Sequence, residues 1–380
     1  MKIGIVTHFY KNTNYGGLLQ SYALTKKLEM MGYNAEQLCY VMSIKDISKQ
    51  PFSLKCFIKK VYVTLKRMAK RVLQGNKSTP VVINPRSEAF DLWSKAYIRQ
   101  SRCIYTTKNI KKSVNEYDVF ITGSDQVWNY SWYDKNFFLS FVPKEKKKIA
   151  YAASLGHSQM HIRQCRVFKK HLKTFNAVSV REKDSVPLIQ DLSPVGASWV
   201  LDPVFLLEKE EWLNIITSRQ IQDKYIFCYF LHNAPKQMAL AYKYAKKKGF
   251  KIVFVAGMFQ ESGELFGDIR LENVDPSEFL SQIHYAEMVF TDSFHASAFS
   301  CIFNKRFCVF GRGDATGMDV RIESLMALFD CEECFCNLAD RQNLDYIESV
   351  AVSTRTKNLK ELGKRLAFSE EFLKNNLEGR

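Results

Sequence analysis

Thr291-Asp292-Ser293-Phe294-His295 is the most pointed constellation in the sequence. It joins an apolar strand pattern to a helical one, with Ser293 near the N-cap and His295 in the first turn, so an anion and an imidazole can meet at one helix N-terminus. The structural alternative is a histidine packed against a strand edge. Downstream, Arg312 follows an apolar run and Arg321 opens a helical pattern with Leu325 and Leu328. Both can complete an anion pocket, or each can form an ordinary salt bridge.

Three earlier segments carry polar groups at strand ends. Asn14-Tyr15-Gly16-Gly17 precedes a helical pattern, where free N–H groups and the helix dipole favour an anion. It has neither the spaced glycines of a dinucleotide fingerprint nor the lysine of a P-loop, and a packing turn is the other reading. Ile121 to Asn129 places Ser124, Asp125, Gln126 and Trp128 directly after an apolar run. That set suits a polyhydroxylated ligand, with Trp128 as a stacking face, Asp125 or Gln126 accepting from hydroxyls, and Asp125 as a base. A capped helix start with a core tryptophan is the other reading, and the one a tryptophan favours. In Val178-Ser179-Val180-Arg181-Glu182, the planar fork of Arg181 matches a carboxylate or phosphate, unless Glu182 pairs with it. Ser154 lies in a further turn, Ser154-Leu155-Gly156. The Cys331-x-x-Cys334-x-Cys336 cluster lacks a fourth ligand, so no metal is expected there.

These groups need strands to carry them. Short β-branched or aromatic runs alternate with helical patterns throughout, the signal for α/β units with parallel sheet. Strands are predicted at Lys2 to Thr7, Tyr117 to Thr122, Lys148 to Ala153, Ala177 to Val180 and Trp199 to Leu201, then at Tyr225 to Leu231, Lys251 to Ala256, Met288 to Thr291 and Arg306 to Phe310. The reading is two Rossmann-like domains facing a cleft, 1–205 and 206–340, with a polar helical tail over 341–380. Ligands bind beyond the carboxyl ends of such strands, where the polar turns fall.

The chain has 380 residues and a formal charge of +16. A hydrophobic content of 46% marks a globular protein rather than a disordered one. An insert over 41–80 holds ten Lys and Arg against Asp46, with Phe57, Ile58, Val61, Leu65 and Met68 interleaved. A basic amphipathic segment fits either contact with an anionic membrane or a solvated helix on the N-terminal domain. The MKIGIVTHFY start reads as a strand rather than a secretory signal, and the scattered cysteines suit a reducing compartment, so the expected setting is cytoplasmic, and the inner face of the membrane if the insert makes that contact.

Taken in order, NYGGLLQSYAL, GSDQVWN, YAASLG, VSVRE, LDPVFLL and TDSFHASAFSCIFNKRF resemble the polysaccharide pyruvyl transferase family over about residues 1 to 330. The resemblance implies a GT-B-like fold and transfer of pyruvate from phosphoenolpyruvate to a sugar, closing a ketal on two hydroxyls, with no cofactor. It implies that Arg181 grips the donor carboxylate or phosphate with Arg321 as a second cation. His295 bridges the phosphate and protonates the methylene carbon or the departing phosphate. Asp125 and Glu182 are the candidate bases. Partners implied are phosphoenolpyruvate and a saccharide acceptor, which a polyprenyl-diphosphate carrier could present, and not nucleic acid. Ala296 stands where many relatives carry glycine. The alternatives are a GT-B glycosyltransferase with a nucleotide-sugar donor, and a non-catalytic anion- or nucleic-acid-binding protein.

Overall fold

Apolar runs bounded by polar turns build two all-parallel sheets in the computed structural model, which describes residues 1–42, 85–256, 267–311, 319–336, 344–353 and 359–378. The first sheet contains β1 (Lys2–Val6), β2 (Asn34–Val41), β3 (Gln100–Thr106), β4 (Val119–Thr122), β5 (Lys147–Ala153), β6 (Ala177–Val180) and β7 (Ser198–Trp199), in the order β3-β2-β1-β4-β5-β6-β7. The second contains β8 (Tyr225–Phe230), β9 (Lys251–Ala256), β10 (Ile269–Leu271), β11 (Met288–Thr291), β12 (Phe307–Phe310) and β13 (Phe335–Cys336), in the order β10-β9-β8-β11-β12-β13. Helices cover the sheets, so central strands such as β8 are buried along their whole length.

In each sheet the strand order reverses at one place, between β1 and β4 in the first and between β8 and β11 in the second. The crevice beyond the carboxyl ends at such a reversal is where open α/β sheets bind ligands. The two registers, Val6 opposite Thr122 and Tyr229 opposite Thr291, set those strand ends side by side. The loops that follow them carry most of the polar residues singled out above.

An aromatic seam joins the two halves. Tyr15 stacks on Phe279 at 4.0 Å and donates its hydroxyl to the Val274 carbonyl, while Trp93 Nε1 donates to Ser277 Oγ at 2.7 Å. Buried aromatic area with its polar ends satisfied makes this a packed contact rather than a loose hinge.

Most predicted strands agree with the structure to within two residues. β2, β3, β10 and β13 are additions, and their sequences explain why they read poorly. β2 buries Gln37, whose Nε2 donates to the Ser21 carbonyl and Thr25 Oγ1, while β3 is an edge strand with Arg102 to Ile104 exposed. The basic insert over 41–80 lies outside the described residues apart from Val41 and Met42. Among the described residues, no helix is long and apolar enough to cross a membrane.

The tail is helical, over Leu344–Ser353 and Leu359–Glu378, but it is not a solvated appendage. Leu373 and Leu377 are buried with Ile3, Ile5, Leu24 and Leu28 of the first sheet's layer. Ser369 Oγ accepts from the Leu201 N–H at 2.9 Å, and Lys27 pairs with Glu370. The second half of the last helix therefore packs into the N-terminal half, while Leu362 and Leu366 near its start pack against the cluster that holds the second sheet. Leu373→Ala should cost about 2–5 kcal/mol of stability, read as a lower urea midpoint at unchanged slope. A midpoint shift worth under about 0.5 kcal/mol would contradict this docking.

Candidate active site between the two sheets

Arg181, the first residue after β6, sits at the centre of a buried ion cluster. Its Nη1 donates to Asp202 Oδ2 at 2.9 Å, its Nε to Glu182 Oε1 at 3.0 Å, and Nη1 lies 3.6 Å from Asp125 Oδ1. The guanidinium carbon lies 4.3 Å from the centre of the Phe294 ring, on the other half of the molecule. Burial alone would depress its pKa. The carboxylates of Glu182, Asp202 and Asp125 outweigh that and raise it.

Asp202 links this cluster to the polypeptide on all sides. Its Oδ1 caps the turn after β7 by accepting from the Val204 N–H, and its Oδ2 also accepts from Ser124 Oγ at 3.1 Å. His295 Nε2 lies 3.6 Å from the same Oδ2. Burial works against its charge, but His295 and Arg181 reverse the sign and hold the carboxyl well below the usual range. Asp125 follows the same pattern, with burial outweighed by Arg181, His295, Arg321 and His8, so its carboxyl is lowered too.

Two helix N-termini meet here. Asn14 caps the helix Tyr15–Met30 and Ser293 caps the helix Phe294–Ile302, each side chain accepting from a first-turn N–H. A methyl group on Gly16 would lie 2.0 Å from His295 Nδ1, so Gly16 is required for the imidazole to occupy its place. Aligned peptide dipoles from both halves thus point at one spot, which favours an anion there. Beside it is a cleft of about 590 Å³ whose lining includes Asn14, Asp125, Gln126, Ser293, His295 and Arg321.

Other proposed site residues stand elsewhere. Arg181 and Glu182 do not line this cleft but lie behind it, and Glu182 Oε1 also accepts from Ser154 Oγ at 2.8 Å. Ser124 and Ser154 are fully buried supports. Tyr15 belongs to the aromatic seam, and Gly17 packs against Asn12 and the His8 carbonyl. Trp128 is a correction: it is buried, stacks on Phe138, and donates to the Phe137 carbonyl, so it offers no face to a ligand. Trp132, four residues on, lines the cleft instead. Arg312 lies outside the described residues. Cys331, Cys334 and Cys336 are core residues of the second half.

Several contributors escaped the sequence reading. Asp202 was visible only as a turn in LDPVFLL. Gln20 accepts from the Ser124 N–H at 3.0 Å and donates to Thr7 Oγ1, clamping the loop that carries Asp125, yet in sequence it is one polar residue within a helix. His8 and His232 follow the central strands β1 and β8 and line the cleft. Burial pushes the His8 imidazole down, partly offset by Asp125 and the Gln126 carbonyl. Their signal was position alone, one or two residues past a strand end.

The ion cluster has a pH signature. Because Asp125 and Asp202 titrate lower when folded than their ordinary 3.8, their stabilisation is complete above about pH 4 and is lost as pH falls through the folded values. Asp202→Asn, which leaves Arg181 short of a buried partner, should lose about 3–5 kcal/mol at pH 7. Its urea midpoint should also fall less steeply below pH 4 than that of the parent protein. Parallel curves would refute the coupling.

The fold is shared with proteins of the GT-B architecture. UDP-GlcNAc 2-epimerase from Neisseria meningitidis, solved with UDP-GlcNAc, superposes with a TM-score of 0.53 at 9% identity over 100% of both chains. The UDP-N-acetylglucosamine 2-epimerase of Rickettsia bellii does so with 0.52 at 10% identity over 99% of this chain and 96% of that one. At such identity the likeness concerns the fold alone. No protein of curated function matches by sequence. The polysaccharide pyruvyl transferase profile matches residues 14–314, from the Asn14 cap through the β12 strand, and the chain belongs to that family.

Proposed function

We propose that this enzyme transfers pyruvate from phosphoenolpyruvate to two hydroxyls of a saccharide, forming a ketal and releasing phosphate. The observation that carries this reading is the convergence of two helix N-termini with His295 and Arg321 on one cleft. A phosphate of charge about −1.5 to −2 with a neighbouring carboxylate is well served by such a site.

In this reading the donor lies over Ser293 and Arg321. Arg181, already engaged by three carboxylates, holds them in place and offers only Nη2, which has no hydrogen-bond partner among the described residues. Its part is therefore more positioning than gripping. His295 protonates the methylene carbon C3, and a hydroxyl of the acceptor adds to C2. Asp125 takes that hydroxyl's proton, since it lines the cleft whereas Glu182 does not. Phosphate then leaves from C2 and the second hydroxyl closes the ketal. Donor methylene and two hydroxyl protons end as one methyl group and one proton on phosphate, so the sum balances. Tyr10 and Trp132, half-buried on the N-terminal rim, supply ring faces for a sugar.

The acceptor could be carried on polyprenyl diphosphate, with the basic residues of 41–80 holding the enzyme at an anionic leaflet. Neutralising four of those lysines should then lower activity on vesicle-borne acceptor and spare a soluble analogue. Equal loss on both would exclude docking.

The direct test is incubation with phosphoenolpyruvate and candidate lipid-linked and free oligosaccharides, followed by phosphate assay and mass spectrometry of the sugar. Phosphate release with a pyruvate ketal on the acceptor is expected. Arg321→Met should raise the KM for phosphoenolpyruvate at least about tenfold, and His295→Ala should reduce kcat by about 10²–10⁴. Release of nucleotide from a nucleotide sugar, with no turnover of phosphoenolpyruvate, would overturn the proposal.

A further inference from the structure

His232 follows β8 and Asp292 follows β11, so the pair occupies the strand reversal of the second sheet, where a ligand is expected. Asp292 is anchored rather than mobile: its Oδ1 accepts from the Leu231 N–H at 2.6 Å and its Oδ2 from the His232 N–H at 3.3 Å. The same Oδ2 lies 3.3 Å from His232 Nδ1. A carboxylate that fixes one ring nitrogen orients the imidazole and sends Nε2 the other way, the arrangement of a base and its orienting group in acid–base catalysis. The His232 side chain is 48% exposed and lines the same cleft as His295 and Arg321. Asp292 also immediately precedes the Ser293 cap, which places the dyad beside the helix N-terminus where the donor phosphate would sit.

We infer that His232, oriented by Asp292, is a further catalytic residue that protonates the departing phosphate and recovers its proton from the second acceptor hydroxyl. This rests on the pyruvyl-transfer reading and divides labour that His295 alone would otherwise carry. After the first hydroxyl has added, C2 bears the new sugar ether, the methyl group, the carboxylate and the phosphate ester. The C2–O bond to phosphate breaks with its electron pair on oxygen, and His232 Nε2–H supplies the proton, so hydrogen phosphate leaves. The second hydroxyl oxygen bonds to C2 and its proton passes to His232, restoring the starting state. No external oxidant or cofactor is needed.

The test compares the full-length parent protein with His232→Gln and Asp292→Asn, using phosphoenolpyruvate and the saccharide that supports phosphate release by the parent. His232→Gln should lower kcat by about 10²–10⁴ and leave the KM for phosphoenolpyruvate within a few-fold. An acceptor adduct still carrying phosphate should accumulate and be seen by ³¹P NMR and mass spectrometry of the quenched reaction. Asp292→Asn should show the same split more weakly. Turnover of His232→Gln within about threefold of the parent, or loss confined to donor KM with no phosphate-bearing adduct, would overturn the inference. A parent protein that releases no phosphate from phosphoenolpyruvate would instead refute the pyruvyl-transfer reading itself.

Discussion

A single buried guanidinium governs the arrangement of this molecule's centre. Arg181 has three carboxylates within 3.6 Å, and each comes from a different stretch of chain: Glu182 from its own turn, Asp202 from beyond β7, Asp125 from beyond β4. Desolvating so many charges is costly, and the interaction holds only while every partner keeps its geometry. The loops at the carboxyl end of the first sheet are therefore locked to one another. Because Asp202 also faces His295, and Phe294 covers the guanidinium, the lock reaches across to the second sheet.

What the lock presents is a meeting of two similar crevices. Each sheet reverses its strand order once, and each reversal delivers a capped helix N-terminus, Asn14 on one side and Ser293 on the other. Gly16 lets the two helix starts approach until backbone and imidazole touch. Neither half alone gathers the full set of groups. The aromatic seam of Tyr15, Phe279 and Trp93 keeps them in register.

The architecture was largely legible because buried parallel strands are continuous apolar runs, and β1, β4, β8 and β11 are all of that kind. Strands that carry a buried amide, such as β2 with Gln37, or that lie at an edge, such as β3, lose that pattern and went unseen. Site residues that directly follow apolar strands, Asp125 and His295 among them, could be read from position. Trp128 shows where position misleads, since an indole after a strand can face a ligand but here takes the core role that its size favours. Asp202 and Gln20 act by contacts over 20 to more than 100 residues of separation, to Arg181 and to Ser124. No local pattern records such contacts. The final helix shows the same limit, because its polar sequence hides that Leu373 and Leu377 complete the N-terminal core.

The central claim is that an anionic three-carbon donor sits between the two helix starts. A crystal structure of the protein soaked with phosphoenolpyruvate tests it most directly. The account predicts the phosphate within hydrogen-bonding distance of the N–H groups of Phe294 and His295 and of Arg321, with the methylene carbon facing the His295 imidazole. Phosphoenolpyruvate bound away from the Ser293 helix start, or a cleft that excludes it while admitting a nucleotide sugar, would contradict the account.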